Sequence, residues 1–214
     1  MDLLDEVFEQ SIKSDKFSIH EFNSKKMPVG DQIIYDFDRL FFSKIKTKFW
    51  IAGGAITSFL SGDKINDYDF FVHDKKNLIK LIYELRNKLK FKHYMITKQA
   101  IKGRVVIDNK EYKIDIVKRL FDNPIKTIEK FDFTITCFAV NKDTFFYHKT
   151  ASFDLLRKRL VVNNMPYPID SIRRMQKYIE RGYRACNGTI MEIVIAVREL
   201  NPEDVGLVEF YPVD

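Results

Sequence analysis

Asp67 and Asp69 stand two residues apart at the end of a segment that opens on Gly53-Gly54. On a strand, residues i and i+2 point to the same face, so this pair presents two carboxylates side by side. Like charges at that distance repel unless a cation lies between them. The natural occupant is Mg²⁺, which takes one or two carboxylates and completes its shell with substrate phosphates. The segment between reads as a strand, a tight Gly-Gly turn, a short helix over 55–61 and a second strand over 67–72. Glycines let a ligand approach the backbone closely, and a helix start aims N–H groups at an anion. Gly53 and Gly54 thus form a phosphate cradle next to a metal platform. Thr57 and Ser58 either add hydroxyl donors to that cradle or serve as helix-start residues with no ligand.

Asp115 lies between apolar neighbours in Ile114-Asp115-Ile116, on an expected strand over 111–118. A buried carboxylate needs a cation or a donor. It either completes the metal site or accepts a proton from an attacking hydroxyl; otherwise it forms an ion pair, with Lys118 or Arg119 as candidate partners. Downstream, Arg157, Lys158, Arg159, Arg173, Arg174, Lys177, Arg181 and Arg184 make a basic series. Such a series is either a solvated face or a grip on triphosphate or RNA backbone. His20, His73, His93 and His148 have no zinc-like spacing.

The Gly53-Gly54-Ala55 opening and the Asp67-Tyr68-Asp69 pair resemble the nucleotidyltransferase superfamily that includes DNA polymerase beta. They are most similar to the head domain of bacterial-type tRNA CCA-adding enzymes and poly(A) polymerases. Asp132-Phe133-Thr134-Ile135, Asp154-Leu155 and Asp170-Ser171-Ile172-Arg173 resemble later motifs of that family, in its order. The resemblance spans about residues 49–183 and implies two Mg²⁺ ions, an NTP substrate and an RNA 3′ end as acceptor. It implies metal and catalytic roles for Asp67, Asp69 and Asp115. It implies nucleotide contacts for Asp132 and Arg173, beside those that Gly53, Gly54, Thr57, Ser58 and Arg157 offer by their own chemistry and position. Two departures stand out: the family's Arg-Asp after the glycines is Thr57-Ser58, and its Arg-Arg before Asp132 is Lys130-Phe131. They argue against CCA addition in particular. The family's tRNA-gripping body has no counterpart in this sequence. Transfer to a protein or small-molecule hydroxyl, as in toxin-like members, and non-catalytic nucleic-acid binding are the alternatives.

The expected fold is α+β: a polymerase-beta-like nucleotidyltransferase head, with a mixed or antiparallel sheet flanked by helices, followed by a short helical neck. The organisation expected is an N-terminal helical segment over 1–46, a catalytic domain over 47–149 and a neck-like region with a tail over 150–214. Helices are expected over 2–13, 31–46, 74–89, 124–130, 151–158, 168–182 and 187–199, with 14–29 irregular. Strands are expected over 49–52, 91–96, 101–107, 133–140 and 144–147, with a tight turn at Asp108-Asn109. The 214 residues carry a formal charge of +6, which mildly favours an anionic partner. Nineteen Phe and ten Tyr mainly fill a core, Trp50 among them. Two cysteines, Cys137 and Cys186, are too few for a disulfide framework and suit a reducing cytoplasm. No apolar run reaches the ~20 residues of a membrane span, and the acidic N-terminus lacks a signal pattern.

Overall fold

In the computed structural model, which describes residues 17–21 and 29–200, the short apolar runs become neighbouring strands. They are β1 (Phe17–Glu21), β2 (Trp50–Ala52), β3 (Tyr68–Phe71), β4 (Lys92–Ile96), β5 (Ala100–Ile107), β6 (Lys110–Val117), β7 (Phe138–Val140) and β8 (Thr144–His148). Their order in the sheet is β1-β8-β7-β2-β3-β6-β5-β4. β3 and β6 run parallel, and every other neighbouring pair is antiparallel. The helices are α1 (Val29–Phe37), α2 (Gly54–Ser61), α3 (Lys75–Leu89), α4 (Pro124–Ile128), α5 (Ala151–Leu156), α6 (Pro168–Glu180) and α7 (Asn187–Arg198). This is the expected α+β architecture, a mixed sheet flanked by helices.

Side-chain alternation decides which face meets which layer. Ile51, Phe70, Val105, Ile114, Ile116 and Val140 share one face and bury against Phe37, Phe41, Leu81 and Leu85. Each such side chain contributes about 2–3 kcal/mol of apolar burial. Trp50, Ala52, Phe71 and Ala139 take the opposite face and join Ile128 and Cys137 in a smaller cluster. β2 and β7 are therefore buried on both faces, and Trp50 is core as expected, its indole donating to Thr127 Oγ1 at 3.0 Å.

Several boundaries follow from local chemistry. Asp74 caps α3 by accepting the Asn77 amide at 2.6 Å, as its position before the apolar run requires. Asp108 and Asn109 both have positive φ, the conformation a two-residue hairpin demands. Glu84 on α3 accepts the backbone amides of Lys46 and Thr47 and ties down the loop that leads into β2. Gly103 on β5 has no substitute, because the ring of Phe91 fills the space a Cβ would need.

Four expectations change. Phe17–Glu21 lies within a stretch expected to be irregular, yet pairs with β8 as an edge strand. The strand expected from residue 133 begins only at Phe138; Thr134–Thr136 form a 3₁₀ turn instead. There the hydroxyls compete with the ladder: Thr134 Oγ1 donates to Asp154 at 2.7 Å and Thr136 Oγ1 to the Phe133 carbonyl at 2.8 Å. The helix expected over 31–46 is shorter and ends in a π-helical turn, Asp38–Phe42. β9 (Arg159–Leu160) and β10 (Arg184–Ala185) form an unanticipated parallel pair that ties the end of α5 to the segment between α6 and α7. The helix expected over 2–13 and the tail over 201–214 lie outside the described residues.

Candidate active site

The register of the sheet gathers the carboxylates. Asp69 on β3 is the partner of Asp115 across the parallel pair with β6, and Asp115 is the partner of Lys102 on β5. Asp67 precedes β3 by one residue and is exposed. Asp69 is half-buried, and Asp115 is 5% exposed. Burial, then the charges of Asp67 and Asp115, push the Asp69 carboxyl up to about 7. Burial also raises Asp115, with Asp67 adding to it and Lys102 opposing. The Lys102 ammonium binds Asp115 Oδ2 directly. Burial works against its charge, but Asp115, Asp67 and Asp69 together hold it above the ordinary lysine range.

Lys102 is the partner that the sequence concealed. Lys118 and Arg119 were the candidates, but Lys118 donates to the Thr97 carbonyl and Arg119 lies over the Phe121 ring. Only the antiparallel register of β5 on β6 reveals Lys102, 13 residues away.

The Gly-Gly turn sits beside this row. Ala52, immediately before Gly53, is the register partner of Asp69. Gly53 adopts φ +85°, where a side chain is strained, and a Cβ there would meet the Phe131 ring at 3.4 Å. A Cβ at Gly54 would meet nothing within 4 Å, so the helix start is open at that residue, while Ala55, Ile56 and Thr57 behind it are buried. Of the amides at this helix start, Gly53 donates to the Phe138 carbonyl at 2.9 Å and Ile56 to the Gly53 carbonyl at 3.1 Å, which leaves those of Gly54 and Ala55 for an anion. Thr57, 2% exposed, turns inward and hydrogen-bonds the Ile135 carbonyl at 2.8 Å, pinning α2 to the 3₁₀ turn. Its hydroxyl is not aimed at a phosphate. Ser58 is buried on the same helix.

A cleft of about 780 Å³ opens on the same face. Phe71 and Val117, each two residues beyond Asp69 and Asp115, floor it, and Phe131, Asp132, Tyr167 and Arg174 wall it. Asp132 accepts the Phe133 amide through Oδ1 at 3.0 Å, and its Oδ2 lies 3.0 Å from Arg174 Nε. Arg174 also acts on Asp69, joining cleft and carboxylates. Of the basic series, then, Arg174 reaches the cleft, where Arg173 was expected. Arg157 stacks on Phe153, 4.1 Å from the ring centroid, at the end of α5. Asp154 is fully buried and joins Thr134, Thr150 and Arg159, a structural anchor for the 3₁₀ turn.

The donor set fits a hard divalent cation: Asp67 and Asp69 supply oxygen ligands, and the repulsion on Asp69 is relieved by positive charge. Among the described residues, no group of three or more His, Cys, Asp or Glu side chains is closed around a single point, and Asp115 is turned onto Lys102. Asp67 and Asp69 are thus the ligands this arrangement offers, with Asp115 held beside them.

The sequence profile of the Gabija anti-defense 2 family matches residues 18–158, which include β2, β3 and β6 and all three carboxylates. The chain belongs to the Gabija anti-defense 2 family. A member from Bacillus phage SPbetaL7 is 27% identical over 154 residues. That match covers 70% of this chain and 37% of the relative, so the chain spans well under half the length of the curated family member. Among solved structures, the fold is similar to a CCA-adding enzyme in complex with CTP (TM-score 0.61, 20% identity, 87% of this chain and 47% of that one). It is also similar to a CCA-adding enzyme in complex with ATP (TM-score 0.60, 19% identity, 87% and 47%). The Thermotoga maritima CCA-adding enzyme complexed with tRNA gives a TM-score of 0.58 at 20% identity over 85% of this chain and 46% of that one. The chain therefore shares the fold of about half of each of these CCA-adding enzymes. Among the described residues, no helix is long and apolar enough to cross a membrane.

Proposed function

We propose that the protein is a Mg²⁺-dependent nucleotidyltransferase that moves an NMP from an NTP to an acceptor hydroxyl and releases pyrophosphate. The observation that carries this reading is the in-register row Asp69–Asp115–Lys102, beside a Gly-Gly turn and above an aromatic cleft. Asp67 and Asp69 hold the metal; two bound Mg²⁺ ions supply Lewis-acid neutralisation of charge on the transferring and leaving phosphates.

The chain's own residues do the rest. The amides of Gly54 and Ala55, at the start of α2, bind triphosphate oxygens. Phe131 and Tyr167 flank the base, and Arg174, braced by Asp132, faces the phosphates. The acceptor oxygen bonds to the α-phosphorus as the bond from that phosphorus to the bridging oxygen of the β-phosphate breaks. Pyrophosphate leaves with the electron pair. The acceptor proton passes to Oδ1 of Asp115, whose Oδ2 stays on Lys102.

The acceptor read from the fold and the basic balance is an RNA 3′ end. A second reading, transfer to a hydroxyl on a protein of a host defence system, is favoured by the name of the phage relative. CCA addition is not carried over, since Thr57 points inward and Phe131 stands where the family has arginine. The test is incubation with Mg²⁺, each α-labelled NTP, total RNA and host lysate. Label on RNA supports the first acceptor, and label on protein the second. No label on any acceptor, with every NTP intact, would refute the reading.

A further inference from the structure

The site face of the sheet continues past the carboxylates, away from the cleft. Lys113 on β6 is the register partner of Arg104 on β5, and Arg104 is the partner of Lys92 on β4. Residues two apart share a face, so this row lies beside Asp115–Lys102 and on the same side. All three side chains are exposed. β5 alternates sharply: Val105 and Ile107 are buried in the core, while Arg104 is exposed and Val106 is 57% exposed. At a register shift in β4, Tyr94 is half exposed and lies under the Arg104 guanidinium, 5.3 Å from centroid to Cζ. Met95, the partner of Lys102, is 49% exposed. One exposed carboxylate tempers the row, Glu111, 3.3 Å from Arg104.

The two sides of the carboxylate row thus differ in shape. The cleft side is concave, walled by aromatic rings with Lys130 and Arg174 among them; the other side is an exposed strand surface that is basic and carries a tyrosine. Fixed cations spaced across strands track a phosphate backbone, and an exposed ring offers a stacking surface to any base.

We propose that the open face of β4, β5 and β6 binds the single-stranded tail of a nucleic-acid acceptor and leads its end to Asp69 and Asp115. The nucleotide enters from the cleft and the acceptor from the opposite side, so the two meet over the carboxylate row. Lys92, Arg104 and Lys113 contact phosphates, and Tyr94 stacks on a base, with little sequence preference. The direction of the tail rests on the nucleotidyl-transfer reading; the binding itself does not.

The test is fluorescence anisotropy of a labelled single-stranded RNA oligonucleotide with the full chain, without NTP, across a salt series. Lys92→Gln, Arg104→Gln and Lys113→Gln are combined in one variant, with Tyr94→Ala and Lys80→Gln made separately. All are checked for unchanged thermal unfolding. The triple variant is expected to bind at least about 10-fold more weakly, with the slope of log K against log salt reduced by about 2. Tyr94→Ala is expected to weaken binding about fivefold or more. Lys80→Gln, exposed on α3 behind the opposite face of the sheet, is expected to bind like the wild type. Equal affinity and slope for wild type and triple variant would overturn the proposal, as would equally tight binding of blunt duplex RNA. Failure of the wild type to bind single strands, with the triple variant instead losing label on a protein acceptor, would assign this face to a protein. A wild type that binds as expected but transfers nothing would remove the catalytic reading and leave this surface standing.

Discussion

Asp69 and Asp115 face each other across the only parallel strand pair of the eight-stranded sheet, as register partners on β3 and β6. Their carboxylates come from segments 46 residues apart in sequence and share one face. Asp69 stands in a half-buried place that works against its own charge. Asp69→Asn is therefore expected to leave the unfolding midpoint unchanged or raise it, while cutting transfer by about 100-fold or more. Thermal unfolding and label transfer on the same preparation check both halves. A variant that loses activity only because it unfolds would contradict this role.

Lys102 is expected to stabilise the metal-free fold by neutralising Asp115. Lys102→Met leaves that carboxylate buried and unpaired, at a cost of about 2 kcal/mol after allowing for solvent screening of the partly exposed lysine. Adding Asp115→Asn in the same chain is expected to restore much of the loss. A double-mutant cycle by denaturant unfolding measures the coupling, and purely additive effects would disprove it.

Gly53 is required by its backbone conformation, with φ +85° and ψ −138°, and by the nearby Phe131 ring. Gly53→Ala is expected to destabilise by about 1–3 kcal/mol and weaken NTP binding. Gly54→Ala, facing open space, is expected to cost less stability. Denaturant midpoints and nucleotide titration of the two variants check the order.

Glu84 contributes a pH-dependent stability of its own, opposite in sign to that of Asp69, whose carboxyl is raised. Burial alone would raise its carboxyl, but the amides of Lys46 and Thr47 and the Lys88 ammonium bring it below the usual glutamate range. A group with a depressed folded pKa adds stability above its unfolded value, near 4.5, and that stability is lost as pH falls through the folded value. Glu84→Gln is expected to be less stable than wild type at neutral pH by about 1 kcal/mol. The gap should close in acid. Unfolding midpoints of both proteins from pH 7 down to 3 check it; a gap independent of pH would rule out the linkage.

The local part of this architecture was legible because it depends on local signals. Gly53-Gly54 set the turn, Asp74 the start of α3, and Asp108-Asn109 the hairpin. The spacing of Asp67 and Asp69 put two carboxylates on neighbouring positions of one segment, and the structure keeps Asp69 on β3 with Asp67 one residue before it. What stayed hidden depends on register and on long-range partners. Lys102 meets Asp115 only through the β5–β6 ladder. Arg174, the residue after the expected Arg173, reaches Asp132, which lies 42 residues earlier in the chain. The 3₁₀ turn at Thr134–Thr136 depends on buried Asp154, 20 residues downstream of Thr134. A β-rich composition there read as strand, and the hydroxyl contacts overrode it.

The most direct test of the central claim is Mg²⁺-dependent transfer of label from an α-labelled NTP by wild type and by the Asp69→Asn/Asp115→Asn double variant, with pyrophosphate measured in the same reaction. The expected result is an acceptor that gains label and releases an equal amount of pyrophosphate with the wild type alone, and only when Mg²⁺ is present. Label transfer that survives in the double variant, or persists in chelator, would contradict the assignment of this carboxylate row as the site of nucleotidyl transfer.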